Sequence, residues 1–149
     1  MASTPTVPRA SRLILDAATA ADLMTPNPTS ILAEATVPQA VAWLTEKGFS
    51  AAPVIDESGR PIGVISRTDI LVHERDRLRG AGYPTLDGAV ARDIMTPAVF
   101  SVTPQTPSEQ VVEQLLTLNV HQLYVVDEEQ FLTGVISAHD VLRRLHSED

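Results

Sequence analysis

Two stretches of this chain, Asp22-Leu23-Met24-Thr25-Pro26 and Gly63-Val64-Ile65-Ser66-Arg67-Thr68-Asp69, each occur twice. Shifted by about 71 residues, the first falls on Asp93-Ile94-Met95-Thr96-Pro97 and the second on Gly134-Val135-Ile136-Ser137-Ala138-His139-Asp140. Between them Val54-Ile55-Asp56-Glu57 falls on Val125-Val126-Asp127-Glu128, and apolar pairs such as Val41/Val112 and Leu44/Leu115 keep step without a gap. A register held across three anchors defines a tandem duplication, so the fold is that of the repeated unit.

Each copy reads the same way. A short helix ends at Met-Thr-Pro, because Pro26 and Pro97 push the residue before them out of helical geometry. An extended piece follows, residues 28–32 or 99–103. Next comes an amphipathic helix over 37–47 or 108–118, with Ala40, Val41 and Leu44 at helical spacing. Gly48 and Asn119 stand where a left-handed residue closes a helix. Strands over 52–55 and 62–65 are joined by Asp56-Glu57-Ser58-Gly59-Arg60, which has hairpin chemistry. A last helix starts after Ser66 and runs into His73-Glu74-Arg75-Asp76-Arg77, whose alternating charges read as a solvated helix end. One unit of about 50 residues is too small to bury its own sheet and helices. Two units packed about a pseudo-twofold axis cover each other, so 13–79 and 89–149 are expected to form one module. Residues 80–88 are expected to be a linker, and residues 1–12, rich in Ser, Thr and Pro, a disordered tail.

Composition narrows the function. Of the 149 residues 44% are apolar and only 4% aromatic, so the core is aliphatic with Trp43 the one large exception. The absence of cysteine removes disulfides, thiolate metal sites and thiol nucleophiles, and fits a reducing compartment. A net charge of −8 opposes nucleic-acid backbones. No stretch nears the roughly 20 apolar residues of a membrane span, and residues 1–11 lack the apolar core of a signal peptide. The expectation is a cytoplasmic protein with neither nucleic-acid nor membrane partners. Nor does the chain carry a P-loop, a Gly-rich dinucleotide turn, a Gly-x-Ser-x-Gly elbow or a metal constellation, which argues against an enzyme. His139 and His146, seven apart on one expected helix, share a face with no Asp, Glu or Cys to complete a ligand set.

The Met-Thr-Pro opening, the Val-Ile-Asp and Val-Val-Asp strand ends and the twofold Gly-h-h-Ser-x-x-Asp element (h apolar) together resemble a tandem pair of CBS domains, the Bateman module. The likeness covers residues from about Asp22 to Leu145. It implies an α/β fold of two β-α-β-β-α repeats whose sheets face each other across two symmetry-related clefts. It also implies a regulatory role: clefts that take AMP, ADP, ATP, S-adenosylmethionine or NAD-type molecules, no catalytic cofactor, assembly into a homodimer, and a target protein on a separate chain. The alternative is a dimerisation or docking scaffold whose clefts are vestigial.

Within that likeness Asp69 and Asp140 are the candidate ribose ligands, since a carboxylate accepts two hydrogen bonds from a vicinal diol. The same Ser-x-x-Asp is also a capping box, with Ser66 or Ser137 capping the helix and the acid at its third position. The two roles are compatible, because a helix N-terminus also offers free N–H groups to an anion. Ser66 and Ser137 are candidate phosphate contacts. Arg67 can add a charged fork, or be a solvated first-turn arginine. Its counterpart is Ala138, followed by His139, so the clefts differ. His121 and Gln122 stand where similar modules carry phosphate contacts, whereas the first copy has Ser50 and Ala51. By the same resemblance Pro53, Tyr124, Ser30, Ile31, Ser101 and Val102 line the adenine pockets; unaided, they read as ordinary strand residues. Thr106 is a candidate hydroxyl contact or a helix-entry cap.

Overall fold

The computed structural model describes residues 12–80, 88–120 and 122–148. The expected tail and linker fall almost wholly outside these, as does His121. Strand β1 (Leu13–Leu15) precedes the first copy, which runs α1 (Ala20–Leu23), β2 (Thr25–Pro26), β3 (Ile31–Leu32), α2 (Val37–Lys47), β4 (Ala51–Ile55), β5 (Pro61–Ser66) and α3 (Arg67–Gly80). The second copy runs α4 (Ala91–Ile94), β6 (Ser101–Val102), α5 (Ser108–Thr117), β7 (Gln122–Val126), β8 (Leu132–Ser137) and α6 (Ala138–Leu142), followed by β9 (Leu145–Ser147). The β-α-β-β-α order expected of each repeat is present twice.

Local chemistry sets these boundaries. Asp22 Oδ2 accepts hydrogen bonds from the N–H groups of Ala18 (2.9 Å) and Thr19 (3.3 Å), and Asp93 Oδ2 accepts one from Val90 (3.0 Å), fixing the starts of α1 and α4. The bond from Ala18, then that from Thr19, holds the Asp22 carboxyl below its ordinary range. Both helices stop at the methionine, which is extended in each copy (ψ 151° and 158°), and the proline that follows keeps the intervening threonine out of helical geometry. Helix α2 opens on a capping box between Thr36 and Gln39 and closes on Gly48 at φ 68°; Asn119 takes the same left-handed form at φ 52°. Asp56 Oδ1 accepts from Ser58 Oγ (2.7 Å) and from the N–H groups of Ser58 and Arg60, shaping the hairpin loop.

Two cores result, and each draws on both copies. Residues Ile31, Ala33, Ala40, Leu44, Ala52, Val54 and Ile65 of the first copy are joined by Ala91 from α4. Residues Val102, Val111, Leu115, Leu123, Val125, Ile136 and Val141 of the second copy are joined by Ala20 and Leu23 from α1. The helix that opens each copy therefore packs on the other. The sheets follow suit: β2 pairs antiparallel with β8, Thr25 opposite Val135, giving the order β2-β8-β7-β6. In the β3-β4-β5 sheet the corresponding place is held by a bridge between Val64 and Thr96, with N–H to O distances of 2.9 and 2.8 Å.

Three sequence expectations are corrected. The buried stripe of α2 is Val37, Ala40 and Leu44, while Val41 is 39% exposed, because the helix meets its sheet along that narrower line. The extended pieces shrink to two-residue strands, each with one parallel neighbour. His139 and His146 do not share a helix. Helix α6 stops at Leu142, and His146 lies in β9, whose antiparallel pairing with β1 displaces further helix; its Nε2 lies 3.7 Å from Asp16. Trp43 is only partly buried against the first core, with Lys47 5.1 Å above its ring.

Candidate functional site

The exchange of opening segments brings the two repeated motifs together across the copies. Each Met-Thr-Pro seats on the Gly-h-h-Ser-x-x-Asp of the other copy. A Cβ built on Gly63 would lie 2.7 Å from the carbonyl oxygen of Thr96 and against the Met95 side chain; one on Gly134 would strike the Met24 side chain. Glycine thus leaves room where a foreign methionine crosses the strand. The threonines then reach the aspartates: Thr96 Oγ1 donates to Asp69 Oδ1 (3.3 Å) and Thr25 Oγ1 to Asp140 Oδ1 (3.5 Å).

Both carboxylates are also helix caps. Asp69 Oδ2 accepts from the N–H and the hydroxyl of Ser66 (both 2.9 Å), and Ser66 Oγ accepts from the N–H of Asp69 (3.1 Å). Asp140 does the same with Ser137 at 2.7, 3.0 and 3.2 Å. The capping role is therefore present at both positions and occupies Oδ2, leaving Oδ1 facing a cleft.

Two clefts open along the seam between copies. One, of about 440 Å³, has Asp69, Ser66 and Thr96 on its polar side and Val64, Phe100, Val120 and Tyr124 among its apolar walls. The other, of about 260 Å³, has Asp140, Ser137, Thr25 and Asn27, facing Phe49, Pro53, Val135 and Tyr124. Ala51, Gln122, Tyr124 and Ser137 line both, so the clefts share a wall. Tyr124 donates its hydroxyl to Gln122 Oε1 (3.2 Å), and burial raises that phenol to about 12. Among the described lining residues there is no Lys, Arg or His.

Of the sequence candidates, Pro53, Ser66, Asp69, Gln122, Tyr124, Ser137 and Asp140 come together at these clefts. The other described candidates lie elsewhere, and His121 is outside the described residues. Ser30 and Ile31 line a groove beside Trp43, Ser101 borders a hollow near Asp56 and Arg60, and Val102 sits in the second core. Arg67 is exposed, its Nε donating to the carbonyl of Phe49 (3.1 Å), and His139 is exposed on α6. Thr106 Oγ1 accepts from the N–H of Thr103 (3.1 Å), shaping the turn before α5 rather than capping that helix, whose cap is Pro107. Thr25, Thr96, Phe49 and Phe100 were not singled out by sequence. The threonines were visible as a repeated Thr-Pro but read only as a helix stop.

Comparison with known proteins agrees with this arrangement. The family described as CBS domain matches residues 20–76 and 91–147. The gamma-3 subunit of the 5'-AMP-activated protein kinase of Bos taurus is 31% identical over 120 residues, 77% of this chain and 23% of that protein. The chain thus spans about a quarter of that relative's length. The CBS domain-containing protein CBSX1, chloroplastic, of Arabidopsis thaliana is 30% identical over 131 residues, 72% of this chain and 55% of that protein. The structure of CBSX2 in complex with AMP superposes with a TM-score of 0.71 at 32% identity, covering 85% of this chain and 95% of the other.

Proposed function

This chain belongs to the CBS domain family, and on that premise we propose that it is a regulatory module that takes an adenosine-containing ligand in its clefts and thereby modulates a separate protein. In this reading the two repeats, 13–79 and 89–149, act as one non-catalytic, cytoplasmic module. CBSX2 has been solved with AMP, and the kinase relative bears AMP in its name, which supports an adenosine monophosphate as the first ligand to test.

The observation that carries the reading is Asp69. Its Oδ1 faces a cleft of about 440 Å³, within the size range of small-molecule sites, at the start of the 14-residue helix α3. A ribose hydroxyl can donate to Oδ1 while the neighbouring one donates to Thr96 Oγ1. The base then has Phe100, Tyr124 and Val64 to lie against. A phosphate would meet the start of α3, where the Ser66 hydroxyl can donate to it on turning away from Asp69 Oδ2. With no cationic side chain in the described lining and a net charge of −8, each added phosphate is repelled, so AMP should bind better than ATP.

Thermal melting with AMP, ADP, ATP, S-adenosylmethionine and NADH tests this. Ligand at a hundred times its Kd adds about 2.7 kcal/mol of apparent stability, a shift of several degrees. A larger shift with AMP than with equimolar ATP is expected. No shift with any of the five would leave the second reading, a homodimerisation or docking scaffold. That reading is favoured by α3, which has no fully buried residue and carries Leu71 (69% exposed) and Leu78 (71% exposed) seven residues apart on one face.

A further inference from the structure

The clefts are related by the duplication, yet their carboxylates are not in the same state. Asp69 Oδ1 has one partner, the Thr96 hydroxyl, at a long 3.3 Å. Asp140 Oδ1 has two, the Thr25 hydroxyl and the guanidinium of Arg143, the C-cap residue of α6, which forms a charge-assisted pair with it. An ionised carboxylate offers about four acceptor sites. With the two Ser137 bonds on Oδ2, the acceptor sites of Asp140 are filled; Asp69 keeps one open. The position equivalent to Arg143 in the first copy is Val72, which cannot make such a pair. Asp140 is also the more enclosed acid, 7% exposed, in the smaller cleft of about 260 Å³.

We infer that Arg143 is a specificity-determining residue that keeps the Asp140 cleft from taking a ribose, so that the chain binds one adenosine ligand, at Asp69. This rests on the ligand reading above. A diol arriving at Asp140 would have to displace a charged donor with a neutral one. At Asp69 it displaces at most a weak hydroxyl contact. The duplication thus yields one carboxylate open to a diol and one already engaged by the chain's own cation.

Calorimetric titration of the full chain with AMP tests this. The wild type should bind one equivalent. Asp69→Asn should lose binding at least tenfold. Arg143→Val, which installs the residue of the first copy, should raise the count to two, and adding Asp140→Asn should return it to one. Arg143 is 61% exposed at its side chain, so the variant is expected to fold; Arg143→Gln, which keeps the stem without the charge, gives the same test if it does not. Two equivalents in the wild type, or one in the wild type with no second equivalent in either Arg143 variant, would overturn the role of Arg143 while leaving the ligand reading intact. Absence of AMP binding in the wild type and in both variants, together with no thermal shift from any of the other four ligands, would overturn both.

Discussion

A single aspartate can cap a helix and still offer an acceptor to a cleft only because its two oxygens do different work. In Asp69 and Asp140 the cap occupies Oδ2 and the cleft sees Oδ1. Both residues and their capping role were legible in the sequence, since Ser-x-x-Asp reads as a capping box; the ribose role belongs to the proposal. Sequence inspection missed what distinguishes them: Arg143 lies outside the repeated motif, and its counterpart Val72 has no polar group to draw notice. It also placed the asymmetry at Arg67/Ala138 and Ser50/His121; the Arg67 guanidinium binds the Phe49 carbonyl, and His121 lies outside the described residues. Tyr124 gives a prediction at this scale. Burial raises its phenol to about 12 from the ordinary 10, so the folded state holds the proton more tightly than the unfolded chain. The stabilisation is full below pH 10 and lost as pH rises toward 12, on the order of 2 kcal/mol in all. Urea unfolding from pH 8 to 11.5 should therefore show a fall beginning near pH 10 that is much reduced in Tyr124→Phe. An equal fall in the variant would mean that another group titrates.

At the scale of elements, α2, α5 and the two hairpins were readable because helix period, caps and turn residues all act locally. The strand β2, the β1–β9 pair and the crossing of Met-Thr-Pro over the opposite strand were not, since each depends on a partner more than a hundred residues away or on the facing copy. The glycines at that crossing can be told apart. A Cβ at Gly63 meets, besides the Met95 side chain, the Thr96 carbonyl oxygen, which accepts from the Val64 N–H in a bridge whose other bond runs from the Thr96 N–H to Val64; at Gly134 it meets side-chain atoms of Met24 alone, which give way more readily than backbone. Gly63→Ala should cost about 1–3 kcal/mol and Gly134→Ala about 1 or less, read from denaturant midpoints. A reversed order would show that the methionine, not the backbone, is the rigid partner. The hairpin loops differ too. Gly59 sits at φ 94°, whereas Gln130 holds the same place at φ 71°, a form that glycine adopts freely and side chains do not. Gln130→Gly should stabilise by about 0.5–1 kcal/mol, and a loss in melting temperature would count against strain at this position.

For the whole molecule, the boundary seen in sequence and the boundary seen in packing do not coincide. Sequence divides the chain at the repeat, and a register without gaps made that division plain. Packing divides it differently: α1 completes the second core with Ala20 and Leu23, α4 completes the first with Ala91, and β2 extends the second copy's sheet. No single copy contains its own lid. Both clefts lie on the seam so created, with Thr25 brought to Asp140 and Thr96 to Asp69, so a site exists only when both copies are docked. Any ligand held there has contacts on both sides of the seam, and its effect on a partner is bounded by how differently it binds alternative packings of the two copies. The dependence can be measured by expressing residues 1–80 and 88–149 separately. Each alone lacks the helix that covers its core and should give no cooperative melt. Mixed in equal amounts, the two should associate one to one and recover a single thermal transition, since the contacts that hold the copies together run through the cores and the paired strands. Cooperative folding of either fragment alone would show that the exchanged helices are accessory rather than integral to the cores.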